Sequence, residues 1–252
     1  MPIYLRREDE IERIRASCRV VAECFQVVAA AVQPGVKTVE LERLIVDHIA
    51  KRGAASAFKG YRGYPAYTCI SVNSQVVHGI PGDLRLAEGD IVSIDVGVVK
   101  DGYFGDAART FPVGKTDPEA ERLLEVTRDA LKRGSGKAVE GNRLGDVSHA
   151  IQDCVESAGF SVVRDLVGHG IGRAMHEEPQ IPNFGPPGQG PRLRAGMVLA
   201  IEPMVNAGDW RVRTLDDQWT VVTEDGSLSA HFENTVAITR DGPLALTAPE
   251  GE

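Results

Sequence analysis

The sequence predicts an α+β fold of two related halves, each with two helices followed by strands. The first observation is the spacing of glycines: Gly35 and Gly141 are 106 residues apart, and so are Gly53 and Gly159 (141 − 35 = 159 − 53). In each half, one glycine of the set separates two amphipathic segments and the other ends the second segment. The second observation is the group of short apolar strands that follows each helix pair. An internal duplication accounts for both observations.

The duplication predicts a single domain over residues 1–252, with halves at approximately 8–112 and 117–247. A repeated tripeptide also supports the duplication, since His-Gly-Ile occurs at 78–80 and again at 169–171. In a fold of two such halves, we expect a functional site where the halves meet.

The helices of the first half have clear boundaries in the sequence. A helical period covers Glu8–Val32, and the Pro-Gly pair at 34–35 stops it. Thr38 then stands as the expected N-cap of a second helix, which ends at Gly53.

The second half repeats this order. Thr116 or Asp117 caps a helix that Pro118 opens, because proline is favoured at the first helical position. After Gly141 another helix runs to Gly159.

The clearest strand signal is the segment DIVSIDVGVV at 90–99. The Asp-Gly dipeptide at 101–102 favours a two-residue type I′ hairpin turn. With that turn, Asp95 faces Ala108 on the next strand. Asp106 then lies two residues from the partner of Asp95, on the same face of the sheet. Two carboxylates can therefore approach one centre.

Composition and sequence pattern predict which partners the protein binds, where it is located and whether it forms oligomers. The formal charge of −8 argues against nucleic-acid binding, because phosphate contacts depend on clustered Lys and Arg. The four cysteines lack a CxxC pair, which predicts free thiols and a reducing, cytoplasmic location. We expect no signal peptide and no membrane span, since the most apolar window, Val20–Val32, is short and contains polar residues. Without a heptad pattern or an apolar stripe, a monomer is expected.

Two acids lie inside apolar strand segments. Asp95 is surrounded by residues typical of a strand buried on both faces, and Glu202 lies in the similar segment MVLAIEPMV. An unpaired buried charge is costly, and no neighbouring Lys or Arg in the sequence pairs with either acid. A shared cation is the economical explanation.

Three further residues extend this set, although each has an ordinary alternative. Asp106 alone suits a solvated strand face, His169 in VGHGIG suits a turn, and Glu233 in HFENTVAIT suits the surface. The hypothesis of a metal site therefore rests on the whole set: Asp95, Asp106, His169, Glu202 and Glu233.

Four carboxylates and one imidazole form a hard, oxygen-rich ligand set. Such a set suits Mn, Fe, Co or Zn rather than copper. Four negative charges exceed what one divalent ion balances, so we predict two divalent ions bridged by carboxylates. This arrangement is typical of hydrolases that attack an unactivated carbonyl.

The segments around these residues resemble one enzyme family. They are IDVGVVKDGYFGD, VGHGIGRAMHEEP, AIEPMV and HFENT, and together they resemble the type I methionine aminopeptidases from the first helix to about Thr247. The resemblance implies the pita-bread fold, in which two pseudo-twofold-related halves form a curved antiparallel sheet covered by helices. It also implies hydrolytic removal of the initiator methionine from nascent proteins and peptides when the second residue is small.

The resemblance implies a role for each ligand. Asp106 and Glu233 would bridge the two ions, Asp95 would bind one ion, and His169 with Glu202 would bind the other. Glu202 would also carry a proton from water to the leaving amine.

Two histidines acquire catalytic roles through the same resemblance. His78 would lie near the substrate amide and His176 would contact the scissile carbonyl, where both stabilise developing charge. From the residues alone, neither is distinguishable from an ordinary loop histidine.

The resemblance also implies a narrow pocket for the methionine side chain. Beside His78 and His176, it would be lined by Tyr64, Cys69, Met175 and Trp219. Polarizable Met and Cys suit a thioether, although Cys69 alone could be an ordinary buried hydrophobe.

Three positions depart from the family pattern and bear on pocket shape and pH profile. Phe58, Arg62 and His231 stand where cysteine, histidine and glutamine are more common.

Three functions from different classes follow. The first is the dimetal aminopeptidase, which implies a peptide or nascent-chain partner and transient association with the ribosome. The second is cleavage of X-Pro bonds, but such relatives carry an amino-terminal domain for which the 77 residues before His78 leave no room. The third is a non-catalytic adaptor on the same scaffold, which the complete ligand set disfavours.

Overall fold

Four helices and fifteen strands make up the part of the chain that the computed structural model describes, residues 2–248. The helices are α1 (Glu8–Ala29), α2 (Thr38–Lys51), α3 (Pro118–Gly136) and α4 (Leu144–Ser157). A short 3-10 turn covers Tyr61–Gly63. The ends of the predicted domain, Met1 and 249–252, lie outside the described residues.

The strands fall into two groups along the chain. Between α2 and α3 lie β1 (Ala55–Ser56), β2 (Cys69–Val72), β3 (Gln75–Val77), β4 (Ile91–Lys100) and β5 (Tyr103–Pro112). After α4 lie β6 (Ser161–Val162), β7 (Val167–Gly170), β8 (Glu177–Pro182), β9 (Val198–Ile201), β10 (Met204–Asn206), β11 (Val212–Thr214), β12 (Val221–Thr223), β13 (Ser229–His231), β14 (Asn234–Thr239) and β15 (Gly242–Ala245).

The strands form four sheets within the described residues. In one, β4 pairs with β1, β2 and β5, and in the largest the order is β15-β14-β9-β7-β8. Two three-stranded sheets have the orders β13-β10-β6 and β11-β12-β3. Every pairing between these strands is antiparallel. The predicted combination of helices with antiparallel sheets is confirmed.

The predicted hairpin is confirmed in register and in turn type. Asp101 and Gly102 have φ angles of 51° and 76°, as a type I′ turn requires. Asp95 pairs with Ala108, and Asp106 pairs with Gly97. The turn residues therefore set the positions of both carboxylates.

The start of α2 differs from the prediction. Lys37 is the N-cap residue, and its backbone N–H donates to the Glu40 carboxylate at 2.8 Å. Thr38 instead bonds to Gly82, donating to its carbonyl at 3.2 Å and accepting from its N–H at 2.9 Å. The N-cap prediction for Thr38 is therefore wrong, because a distant backbone segment satisfies its hydroxyl.

The remaining helix ends follow the sequence signals more closely. Asp117 caps α3, accepting from the backbone N–H of Ala120 at 2.7 Å. Helix α1 ends at Ala29, three residues before the predicted Val32, because the chain must leave the helical conformation ahead of Pro34.

Matched hydrogen bonds support the predicted duplication. The N–H of Gly35 donates to Leu86 at 2.7 Å, and that of Gly141 donates to Leu193 at 3.0 Å. The duplication remains a prediction. The two His-Gly-Ile tripeptides are not structural equivalents, since His78 has a φ of 60° after β3 whereas His169 lies within β7.

Each helix pair packs on the strands of its own half. One buried cluster joins α1 and α2 to β4, with Val21, Leu41 and Ile94 among its members. A second joins α3 and α4 to the strands around β9, including Leu123 and Leu199. A third contains residues of both halves and includes several of the predicted pocket residues, among them Tyr64, Cys69 and Met175. The core therefore places the predicted pocket between the halves.

Two further expectations concern the cysteines and the membrane. All four cysteines are free, as predicted: Cys18, Cys24, Cys69 and Cys154. All four are also buried. Within residues 2–248, no helix combines the length and apolar character needed to cross a membrane.

A buried threonine ties β5 to β13. The Thr110 hydroxyl donates to the carbonyl of His231 and accepts from its N–H, both at 2.9 Å. Ser93 lies 2.8 Å from the same hydroxyl and completes its hydrogen bonding. One side chain thus satisfies two main-chain groups of the neighbouring strand.

We expect Thr110→Val to lower the free energy of unfolding by about 1–3 kcal/mol, because His231 would keep two buried main-chain groups without this partner. Urea denaturation followed by circular dichroism measures the loss. The matched control is Thr214→Val on β11, where the side chain is exposed and the change should stay within about 0.5 kcal/mol. Equal effects at the two positions would contradict the role of Thr110.

Candidate metal centre

The five predicted ligand residues line one cavity of about 140 Å³. Asp95 and Asp106 project from the hairpin β4–β5, and His169 lies on β7. Glu202 directly follows β9, and Glu233 directly precedes β14. Strands of both halves therefore deliver the set to one place.

The distances within the set suit a shared cation. His169 Nε2 lies 3.9 Å from an oxygen of Asp106 and 3.7 Å from an oxygen of Glu202. One ligand atom each from Asp106, His169 and Glu233 lie within 4.8 Å of one another, and all three residues are buried. Asp95 and Glu202 line the same cavity around this group.

The backbone fixes the ring of His169. Its Nδ1 lies 2.9 Å from the carbonyl of Gly170, which can only accept, so Nδ1 carries the proton. Nε2 is then left with a lone pair that faces the carboxylates, as a metal ligand requires.

The glycines beside His169 are required by close strand contacts. A Cβ at Gly168 would lie 2.4 Å from the carbonyl oxygen of Ala200, and a Cβ at Gly170 would lie 2.3 Å from that of Glu178. Side chains at these positions would push β7 away from its neighbours. The pattern VGHGIG therefore reflects packing on both sides of one imidazole.

Burial makes the four carboxyl groups weaker acids than usual. It raises the pKa of Asp95 and that of Glu202 to about 7, and it raises the pKa values of Asp106 and Glu233 well above the usual range. Neighbouring negative charges of the set contribute to the rise at Asp106 and Glu233. Without a bound metal, these carboxyl groups therefore tend to bind protons, and a metal cation could compensate their charge instead.

Unpartnered oxygens show that the set fits metal ions. Asp95 Oδ1, Asp106 Oδ1 and Glu233 Oε1 are buried, and none accepts a hydrogen bond from the described residues. Buried polar atoms are normally satisfied, so these three oxygens call for a further partner. Divalent cations that prefer oxygen and imidazole ligands match both the donors and the charge.

Surrounding side chains hold the backbone at two of the predicted ligand residues, Asp106 and Glu202. The Thr235 hydroxyl accepts from the N–H of Asp106 at 3.1 Å and donates to its carbonyl at 2.8 Å. Asn183 donates to the carbonyl of Glu202 at 3.0 Å, and the buried His231 places Nε2 3.5 Å from the Glu202 carboxylate. His231, which we expected to depart from the family pattern, thus lies beside Glu202 and is not part of the cavity lining.

The two predicted catalytic histidines also line the cavity. The ring of His176 lies 4.1 Å from that of His169, and its Nδ1 lies 2.9 Å from the hydroxyl of Tyr61. Burial lowers the pKa of His78 to about 4, and desolvation in the cavity lowers that of His176, which stays partly exposed, to about 3. Both rings are therefore neutral near pH 7.

The predicted methionine pocket lies in the same cavity, because Tyr64, Cys69, Met175 and Trp219 all line it. The rings of Tyr64 and Trp219 meet edge to face, with centroids 5.1 Å apart. Burial raises the pKa of Cys69 well above its usual value, so this residue is a neutral thiol. Phe58 adds a further apolar wall.

Sequence reasoning missed Tyr61, which lines the cavity and contacts His176. An aromatic residue in a glycine-rich loop carries no periodic signal, so no pattern in the sequence distinguishes this position. Its role is visible only through the contact with a histidine 115 residues away.

Comparison with known proteins identifies the family. The model of metallopeptidase family M24 matches residues 12–240. A methionine aminopeptidase of Clostridium perfringens is 56% identical over 97% of this chain and 98% of its own length. The chain belongs to the methionine aminopeptidases of metallopeptidase family M24. The resemblance deduced from the sequence is thereby confirmed, as is the prediction of a metal-dependent hydrolase.

Solved structures confirm the pita-bread fold. The crystal structure of methionine aminopeptidase from Thermotoga maritima has 49% identity and a TM-score of 0.97, covering 98% of this chain and 100% of that one. The prolidase from Pyrococcus furiosus, at 24% identity and a TM-score of 0.80, shares the fold over 98% of this chain and 66% of its own.

We expect the metal-free protein to lose stability as the pH rises from about 4 to about 7. The ordinary pKa values are 3.8 for Asp and 4.5 for Glu, and burial raises those of Asp95 and Glu202 to about 7. Within this window the folded state binds more protons than the unfolded state, so raising the pH favours unfolding by on the order of 1 kcal/mol per pH unit. Urea denaturation in EDTA at several pH values measures the slope.

The double variant Asp95→Asn/Glu202→Gln is the control, since it lacks both titrations and should show a shallower slope. Added divalent cation should reverse the wild-type slope, because ligand carboxylates must lose their protons to bind metal. A wild-type slope no steeper than that of the double variant would contradict the proposed burial cost.

Proposed function

We propose that this protein removes the amino-terminal methionine from peptides and nascent proteins whose second residue is small, using two divalent metal ions. The main support for the proposal is that one cavity contains both the predicted ligand residues and an apolar pocket. The pocket is lined by Tyr64, Cys69, Met175 and Trp219. The names of the similar proteins from Clostridium perfringens and Thermotoga maritima agree with it.

The ligand residues fit two ions in charge and in number. Asp106 and Glu233 would bridge them, Asp95 would complete one site, and His169 and Glu202 would complete the other. The four negative charges of the carboxylates would balance the charge of two divalent ions. The buried oxygens of Asp95, Asp106 and Glu233 that accept no hydrogen bond would be available to bind these ions. When bound, such ions supply Lewis-acid activation of the attacking water and of the scissile carbonyl, whether they are Mn, Fe, Co or Zn.

The protein's own residues supply hydrogen bonds and proton transfer. Because His78 and His176 are neutral near pH 7, each has one ring N–H that can donate to substrate oxygen. If the Tyr61 hydroxyl donates to Nδ1 of His176, the proton of that ring lies on Nε2. Glu202, which lines the same cavity as both histidines, would carry a proton from the attacking water to the leaving amine.

The pocket also accounts for a preference for methionine. Its aromatic walls and the sulfur atoms of Cys69 and Met175 favour a long, flexible thioether over a charged side chain. Ribosome association, a monomeric state and a cytoplasmic location stay predictions.

Hydrolysis of three peptides before and after metal addition tests the function. We expect chelated protein to be inactive, and added Mn or Co to restore release of methionine from Met-Ala-Ser but not from Met-Leu-Ser. Cleavage of Ala-Pro-Ala would assign the protein to the X-Pro peptidases instead. Failure to cleave any of the three peptides with metal bound would support a non-catalytic adaptor.

Two substitutions separate metal binding from turnover. We expect Asp106→Ala to abolish both activity and metal uptake, because it removes a bridging ligand. His78→Ala should keep the metals and lower kcat by about 10²–10³-fold, since it removes one hydrogen-bond donor to developing charge. Elemental analysis of the dialysed proteins and steady-state kinetics provide the two readouts. An active enzyme that lacks Asp106 would exclude the dimetal centre.

A further inference from the structure

One positively charged side chain, that of Arg62, lies at the mouth of the substrate cavity. Among the lining residues within 2–248, Arg62 is the only Lys or Arg, and its side chain is exposed. No carboxylate in this part of the chain forms an ion pair with it, and its guanidinium lies 5.4 Å from the centre of the Tyr61 ring. The charge of Arg62 is therefore free to act on a ligand.

The backbone holds Arg62 in an unusual conformation. Its φ of 50° lies in the left-handed region, which residues other than glycine seldom adopt, and the turn is flanked by Gly60 and Gly63 at 79° and 92°. Strain of this kind is concentrated at functional sites. The neighbouring Tyr61 holds His176 through its hydroxyl, so the same turn carries Arg62 and supports a predicted catalytic residue.

Arg62 also faces the predicted reaction centre, because it lines one cavity together with His176 and the five predicted ligand residues. Lys59, three residues earlier, provides a contrast within the same loop. Its amino group donates to the carbonyl of Pro65 and lies 5.0 Å from the Tyr67 ring, and Lys59 does not line the cavity.

A substrate bound as proposed above would have its third residue near Arg62. With methionine in the apolar pocket and the scissile carbonyl at His176, the rest of the peptide leaves through the mouth of the cavity. In an extended chain the third residue lies about 7 Å beyond the first, which is within reach of a long guanidinium side chain.

We propose that Arg62 is a specificity-determining residue that favours substrates with an acidic side chain at the third position, after methionine and a small second residue. This inference rests on the proposed function. Exposed charge pairs contribute little energy, so the preference is modest and acts mainly on substrate capture. It should be screened by salt, as expected for an exposed pair.

Amidated peptides of the form Met-Ala-X-Gly test the inference, with X as Asp, Asn or Lys. For the metal-loaded wild type, we expect kcat/KM to fall from Asp to Asn to Lys, by about three- to tenfold overall, with the change in KM. Arg62→Gln should remove the preference and Arg62→Glu should invert it. Arg62→Lys should retain it. In about 0.5 M salt the wild-type preference should shrink toward unity.

Three controls make the outcome decisive. Lys59→Gln removes a charge from the same loop and should leave the preference unchanged. Thermal unfolding of each variant shows whether the loop change has affected the fold, and Arg62→Lys separates loss of charge from loss of the arginine itself. Comparing the amidated peptides with free acids distinguishes an acidic side chain from a terminal carboxylate as the group that Arg62 attracts.

Equal kcat/KM for Asp and Lys in the wild type, or a preference that survives in Arg62→Glu, would overturn the inference. A preference confined to peptides with a free carboxyl terminus would also overturn it, since Arg62 would then bind the chain end. If wild-type enzyme with metal bound fails to cleave Met-Ala-Asn-Gly, the proposed function fails instead, and the two failures are thus distinguishable.

Discussion

The burial of four carboxylates in one cavity is the constraint on which the site depends. Each acid loses its hydration, and their mutual repulsion adds to that cost, as the raised pKa values show. Sheet hydrogen bonding keeps the acids together, because Asp95 and Asp106 cannot separate without breaking the β4–β5 hairpin. Without bound cations, the other stabilising interactions of the fold must therefore offset the cost of burying these four acids.

Both halves of the molecule contribute residues to the buried ligand set. The hairpin supplies two carboxylates, and the strands around β9 and β14 supply His169, Glu202 and Glu233. Direct hydrogen bonds join the two contributions: Glu233 donates its N–H to the carbonyl of Ala108 at 2.9 Å, and Thr235 bonds both main-chain groups of Asp106. A site assembled in this way exists only when both halves are folded and docked, so metal binding and folding stabilise each other.

Local sequence rules predicted the parts of the structure that depend on neighbouring residues. The Asp-Gly turn fixed the hairpin register, and with it the shared face of Asp95 and Asp106. Predictions failed or were silent where a partner distant in sequence decides the outcome. The hydroxyl of Thr38 bonds to Gly82 and so does not cap α2, and Tyr61 gains its role from His176. Such pairings depend on the tertiary fold, which no local pattern encodes.

The three positions that we expect to depart from the family pattern have different surroundings in the structure. Arg62 is exposed on a loop at the cavity, whereas the ring of Phe58 lines the cavity and also packs on Gly97 of β4. His231 instead lies on β13, buried beside Glu202, where any change also affects the packing behind a ligand. The side chain of Arg62 can therefore change while the predicted metal ligands stay fixed on the sheets. For the same reason, a change at His231 would alter metal binding and turnover together, because it acts through Glu202.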